Sequence, residues 1–317
     1  MIQIDLITGF LGAGKTTFIK KYVHYLAGKG QKVGIVENDF GAVNVDLLML
    51  QELPEESCEV EQIVGGKDVE DWKRRFRSKL IAMAMQGFER IIVEPSGIFD
   101  VDAFFDVLYD EPLDRRYEVG NIYAIVDPAV AGALSEEEEY LLVSQLANAG
   151  AVVVSKIKSG DQVSTLVTYL QEVLERFRCR REFHPELDVC AMDWEKMSDW
   201  DWEQIAKVGY RRASYEKLWF SQKEIFQTIA ILDLNQSILS IEEREKKLER
   251  ISQLFSDVTL GNIRRVKGFF QIEEGKWLQV NATKGHLDTR IVSIGQEVLL
   301  VIGRDLNESR IREFLQL

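Results

Sequence analysis

The 317-residue sequence is poor in cysteine, with three in all, at Cys58, Cys179 and Cys190. Three widely spaced thiols cannot build the bridge framework of a small secreted domain, and they suit a reducing compartment. Positive charge is also short: 39 Lys and Arg against 52 Asp and Glu leave a net charge of −13. A chain that follows a phosphate backbone needs clustered cations, so no nucleic-acid partner is expected. The basic run Lys73-Arg74-Arg75-Phe76-Arg77 is local and reads as a solvated helix face. No apolar run approaches the roughly 20 residues of a membrane span, so no membrane association is expected either. The first residues read as a strand rather than a signal peptide, and the expected location is the cytoplasm. Internal repeats and low-complexity linkers are absent. A chain of this length outgrows one core, which favours two domains.

What is present starts at once. Gly9-Phe10-Leu11-Gly12-Ala13-Gly14-Lys15-Thr16-Thr17 fits the pattern G-x-x-x-x-G-K-[ST]. Ile2–Ile7 reads as a strand running into the glycines. Phe18, Ile19, Tyr22, Val23 and Leu26 then recur at helical spacing until Gly28 and Gly30. Strand, glycine loop and helix are the context this motif requires. Backbone N–H groups of such a loop surround a β-phosphate, aided by the positive end of the helix. Lys15 is expected to reach the β- and γ-phosphates, and the Thr16 hydroxyl to ligate Mg²⁺. A nucleoside triphosphate is the expected ligand.

Further strands are expected at 32–37, 90–93, 121–127 and 151–154, with a candidate sixth at 187–190. Helices are expected at 68–86, 135–147 and 164–178, and residues 52–61 read as an acidic loop. The alternation predicts an α/β fold: a mostly parallel sheet covered by helices on both faces. The strand at 90–93 delivers Glu94-Pro95-Ser96-Gly97. A protein with such a loop needs an acidic group at the end of a neighbouring strand to hold Mg²⁺ or its water. It also commonly uses a nearby glycine N–H to sense the γ-phosphate. Glu94 and Gly97 have the right types and spacing for these roles. The tryptophan-containing stretch Trp194–Ala213 is read as the join, giving a nucleotide domain over 1–205 and a smaller α+β domain over 215–317. In the latter, strands are expected at 224–234 and 297–302, a hairpin at 265–282, and helices at 242–255 and from 307.

With these pieces in place the chain resembles the CobW/HypB/UreG family of P-loop GTPases, in particular its two-domain CobW-type members. Ile7–Thr17 is similar to the family's phosphate loop, Asn38-Asp39-Phe40-Gly41 with Asp46 to its switch segment, and Glu94-x-x-Gly97 to its Glu-x-x-Gly. Val126-Asp127, Ser144–Ala147, Val266–Phe269 and Val301–Leu306 also resemble family positions. The resemblance implies phosphate and Mg²⁺ binding by Gly9, Gly12, Ala13, Gly14, Lys15, Thr16 and Thr17. It implies that Asp39 and Glu94 place Mg²⁺ or the attacking water, and that Ser155 and Lys156 lie at the base. The implied activity is GTP hydrolysis, slow without a partner. The implied role is a chaperone or activator for a metalloenzyme or a metal-containing cofactor such as a corrinoid, with an oligomer left open.

Two departures qualify it. The family's Cys-x-Cys-Cys is replaced by Gly65-Gly66-Lys67-Asp68-Val69-Glu70-Asp71, which has no thiol. Cys58 alone cannot supply the three or four ligands of a zinc site; Cys179, His184 and Cys190 form only a loose cluster by sequence. The family's Asn-Lys-x-Asp reads Ser155-Lys156-Ile157-Lys158. A lysine offers no acceptor to the guanine edge, which removes about 1–3 kcal/mol of preference. Asp161 is a nearby substitute, and use of ATP stays open, as does a binding module with little hydrolysis.

Overall fold

The computed structural model describes residues 1–39, 50, 58–64, 69–95, 101–157, 160–218, 226–232, 238 and 240–315. Strand β1 (Ile2–Gly9) is buried from Ile4 onward and ends in the glycine loop. Helix α1 (Lys15–Gly28) follows and buries Phe18, Ile19, Tyr22, Val23 and Leu26, the residues whose spacing predicts it. Next come β2 (Val33–Asp39), β3 (Cys58–Val64), α2 (Val69–Met83), β4 (Arg90–Glu94), α3 (Asp102–Leu108) and β5 (Tyr117–Val126). After them lie α4 (Glu136–Asn148), β6 (Ala151–Val154), α5 (Gly160–Arg176), β7 (Val189–Cys190) and α6 (Asp199–Ile205). α4 starts with a capping box: Ser135 accepts from the Glu138 N–H while the Glu138 side chain accepts from the Ser135 N–H.

The seven strands lie in the order β3-β2-β4-β1-β5-β6-β7, and every pairing is parallel. Parallel neighbours require crossover connections, and among the described residues helices supply them. β2, β3 and β4 fall on one side of β1, and β5, β6 and β7 on the other. That reversal opens a crevice at the carboxyl end of β1, where an α/β sheet binds its ligand.

β3 takes up residues 58–61 of the acidic loop expected at 52–61, whose first part, 52–57, lies outside the described residues. Alternate residues explain it: Cys58 and Val60 join the core beneath α1, while Glu61 receives Lys79 of α2 at 2.6 Å. Carboxylates at every second position lowered the apparent strand tendency, but an edge strand tolerates them.

The stretch Trp194–Ala213 is likewise not a join. Trp202 is 6% exposed, within stacking range of Tyr22 and Tyr25. The Tyr123 hydroxyl donates to Ile205 O at 2.8 Å, and the Ala213 N–H donates to Ala147 O at 3.0 Å. Asn121 donates to Ala206 O and accepts from the Gly209 N–H. The irregular tryptophan spacing comes from a segment lying across α1 and the sheet, which imposes no single period. Beneath it, the fully buried Asp5 accepts from Tyr22, Arg90 and the Asn121 N–H.

The described residues divide into two compact units, one within 1–218 and the other within 226–315. The second contains β8 (Gln227–Ile231), α7 (Ile241–Gln253), β9 (Asn262–Glu273), β10 (Lys276–Thr283), β11 (His286–Val292), β12 (Val298–Arg304) and α8 (Glu308–Leu315). Its antiparallel sheet has the order β11-β10-β9-β12-β8. Ile251 of α7 and Leu254 just after it, Ile311 and Leu315 of α8, and alternate residues of β9, β10 and β12 form its core. β11, a polar edge strand, adds to the hairpin expected from the sequence.

Replacing Trp202 by Ala leaves a cavity under a ring cluster, and the expected loss is about 3–5 kcal/mol in urea denaturation. A loss below ~1 kcal/mol would show that the segment is not part of this core.

Candidate functional site

The site is built from backbone first. Gly9 ends β1 with φ 148°, and a Cβ there would stand 2.4 Å from Ile125 O. Only glycine can cross β5 so closely. Gly14 has φ 104° and opens α1, so the loop turns without strain into a helix N-terminus. Ala13 donates its N–H to Phe10 O at 3.1 Å, and Phe18 to Gly14 O at 3.0 Å.

Lys15 is 6% exposed, and its ammonium donates to Gly9 O at 3.0 Å and Phe10 O at 3.5 Å. The loop's own carbonyls therefore hold the cation at its mouth. The Thr16 hydroxyl donates to Glu94 Oε1 at 2.8 Å, joining the first turn of α1 to the end of β4. Both groups are buried, Glu94 to 4% exposure. A hydroxyl and a carboxylate are the hard oxygen donors that Mg²⁺ takes, so these residues fit that ion.

On the other side of β1, Ser155 and Lys156 follow β6. The Ser155 N–H donates to Val126 O at 2.9 Å. Lys156 has φ 51°, and its ammonium donates to Gly12 O at 2.8 Å while pairing with Asp127 at 2.9 Å. Asp127 also caps the turn at Pro128 by accepting from the Ala129 N–H. Lys156 is thus tied to the glycine loop and to the end of β5 together. Asp127, recognised in sequence only by resemblance, is the group that aims it. Trp194 was also missed: its ring lies 3.4 Å from where a Gly14 Cβ would stand and edge-on to Phe18 at 5.4 Å. An isolated tryptophan in an acidic stretch carries no sequence signal for that place.

The structure therefore gathers Gly9, Gly12, Gly14, Lys15, Thr16, Glu94, Ser155 and Lys156 around the carboxyl end of β1. The Asp39 side chain, Gly97, Lys158 and the Asp161 side chain lie outside the described residues, as do Gly65–Asp68. Cys179 is buried while His184 is exposed, and among the described residues no three His, Cys, Asp or Glu side chains converge as a metal-ligand set. Burial pushes the Cys58 thiol up to about 12 and Cys190 to about 11, and raises Cys179 as well. Each thiol is held protonated, which opposes metal binding as a thiolate. No helix among the described residues is long and apolar enough to cross a membrane.

A profile of the CobW/HypB/UreG nucleotide-binding domain matches residues 3–185, and the chain belongs to that family. It is 26% identical over 196 residues to the zinc chaperone YjiA of Escherichia coli K12, covering 59% of each chain. Over 138 residues it is 40% identical to the zinc chaperone CobW of a Sinorhizobium species, covering 42% of this chain and 38% of that one. The chain thus spans about three-fifths or less of the length of these relatives. Among solved structures, the Zn(II)-bound YjiA GTPase from E. coli aligns over 99% of this chain and 97% of its own, at 19% identity and a TM-score of 0.38.

Asp127→Ala should free Lys156 from one of its two anchors and loosen Gly12. Nucleotide affinity, read with a fluorescent analogue, is expected to fall about tenfold, the equivalent of ~1.4 kcal/mol. Unchanged affinity would mean that the tether does not shape the loop.

Proposed function

We propose that the protein is a Mg²⁺-dependent nucleoside triphosphate hydrolase that prefers GTP and acts as a nucleotide-switched chaperone or activator for a metalloenzyme or a metal-containing cofactor such as a corrinoid. The observation that carries the reading is the Thr16–Glu94 hydrogen bond beside Lys15 at a glycine-lined helix start. Gly9 through Thr17 bind the phosphates: loop N–H groups and the α1 terminus meet the β-phosphate, and Lys15 turns its charge toward the β- and γ-oxygens. Thr16, Glu94 and Asp39 are the residues that would hold Mg²⁺, which when bound neutralises charge developing on the phosphates. Glu94 also orients the attacking water, and the Gly97 N–H reports the γ-phosphate. Lys156 lays its aliphatic stem along the base. Turnover is slow until a partner completes the site, because no residue of the sequence is marked out as an arginine finger acting in cis. The zinc-chaperone names of the relatives and the family membership support the metal-related role. The absence of cysteine from Gly65–Asp71 means that any metal passed on is not held there by thiolates.

Ser155-Lys156-Ile157-Lys158 favours a second reading, in which the base is recognised weakly and ATP serves as well. Calorimetric titration with GTP and ATP analogues plus Mg²⁺ separates the two. Guanine preference supports the first reading; equal binding or an ATP preference supports the second. Lys15→Ala is expected to abolish both binding and hydrolysis, and full turnover by that variant would refute the assignment.

A further inference from the structure

We propose that β11 is a self-association surface: two copies of the chain pair their β11 strands antiparallel about Thr289, joining two five-stranded sheets edge to edge. β11 is the outer strand of its sheet, paired on one side with β10 and, among the described residues, with no strand on the other. The turn Lys284-Gly285 has two residues and closes on Thr283 and His286, with Gly285 at φ 75°. Such a turn closes on a hydrogen-bonded pair, and bonded and non-bonded pairs alternate along an antiparallel ladder. Residues 286, 288, 290 and 292 therefore direct their N–H and C=O groups to β10, while Leu287, Thr289 and Ile291 direct theirs outward. An edge of that kind is a template for another strand.

The side chains select a second copy of this chain as the occupant. Asp288 and Arg290 flank Thr289 on one face, 3.6 Å apart, each side chain about half exposed. A two-fold axis through Thr289 sets Asp288 opposite the second copy's Arg290, and Arg290 opposite its Asp288, so four charges of alternating sign meet. All three outward residues then find hydrogen-bonded partners, Thr289 with Thr289 and Leu287 with Ile291. An axis through 288 or 290 would set Asp288 against Asp288 or Arg290 against Arg290, and like charges directly opposite are destabilising. An axis through 287 or 291 loses both ion pairs. The apolar residues agree with the central register. Leu287, Thr289 and Ile291 stand opposite Ala282, Val280 and Leu278, which belong to the core that includes residues of α7 and α8. Directly opposite residues share a face, so that core runs out to this edge, where Ile291 is 63% exposed. Pairing sets Ile291 beside the second copy's Leu287 and continues the core between copies. One short strand from each copy buries less than the ~1,200 Å² at which stable interfaces begin, so the dimer is weak and concentration-dependent. Charge on an edge strand otherwise serves to keep other strands away, and the experiment separates the two roles.

Sedimentation velocity of the full-length protein compares wild type, Asp288→Arg, Arg290→Asp and an equimolar mixture of the two variants. Wild type is expected to pass from monomer to dimer over about 1–200 µM. Each reversal sets like charges opposite each other at both places, and is expected to weaken self-association about tenfold or more. In the mixture every position 288 again faces the opposite charge at position 290, and dimers are expected to return at wild-type concentrations. Monomer at every concentration in the wild type overturns the proposal and assigns the charges to edge protection. Dimers that survive both reversals, or variants that do not recover on mixing, overturn it as well. Should circular dichroism melts show that a reversed variant does not fold, Thr289→Pro decides. It removes the central outward N–H and leaves the bonds to β10, as an edge strand allows. A monomeric Thr289→Pro supports the pairing, and dimerisation equal to wild type overturns it.

Discussion

The first unit depends on the close passage of Gly9 over β5. With no side chain at that point, the end of β1 lies against the Ile125 carbonyl, and the chain can leave the sheet where its neighbours also end. The left-handed turn at Gly14 then starts α1 with Lys15 and Thr16 in its first turn. Every polar contact of the site is measured from that start: Lys15 folds onto Gly9 and Phe10, Thr16 reaches β4, and Lys156 reaches back to Gly12. A Cβ at Gly9 would push β1 off β5 and dissolve all of these contacts together, so the conformational requirement comes before the electrostatic one.

The sheet supplies the rest by register. Parallel pairing brings the carboxyl ends of β2, β4, β1, β5 and β6 to one edge, and residues distant in sequence become neighbours without any long side chain having to search for them. Thr16 and Glu94 are 78 positions apart and meet at 2.8 Å. At the opposite edge the fully buried Asp5 gathers Tyr22, Arg90 and Asn121. Burial is the main reason the Tyr22 hydroxyl titrates far above its ordinary value, with the Asp5 charge adding to it. The site end of the sheet is thus left to the ligand, while the far end is closed by a buried polar network centred on Asp5.

Much of this was legible in the sequence because it is local. The glycine loop, α1 and the apolar strands announce themselves within windows of ten residues, and the five apolar positions of α1 are the ones it buries. The failures are those in which tertiary context overrides local pattern. β3 hides behind Glu59 and Glu61, which are acceptable on an edge strand with Lys79 of α2 nearby. Trp194 and Trp202 look like linker residues because their partners, Phe18 and Tyr22, lie about 180 positions earlier. Asp127 was visible by resemblance, but its work on Lys156 requires knowing that β5 and β6 are adjacent.

The anchoring of Lys156 explains why that lysine stands where the residues around it have changed. Its ammonium is committed to Gly12 O and to Asp127, and its backbone sits in the left-handed region to make the reach. Those contacts support the phosphate loop and are indifferent to which base a nucleotide carries. Reading the base requires an acceptor set against the guanine edge, and the sequence has Lys158 in the place where the family pattern has an aspartate. On the function proposed above, loop support and base selection therefore fall to different residues of one short stretch of sequence, and the second can change without disturbing the first. On that reading, such a chain can hold a triphosphate however strictly it discriminates between bases.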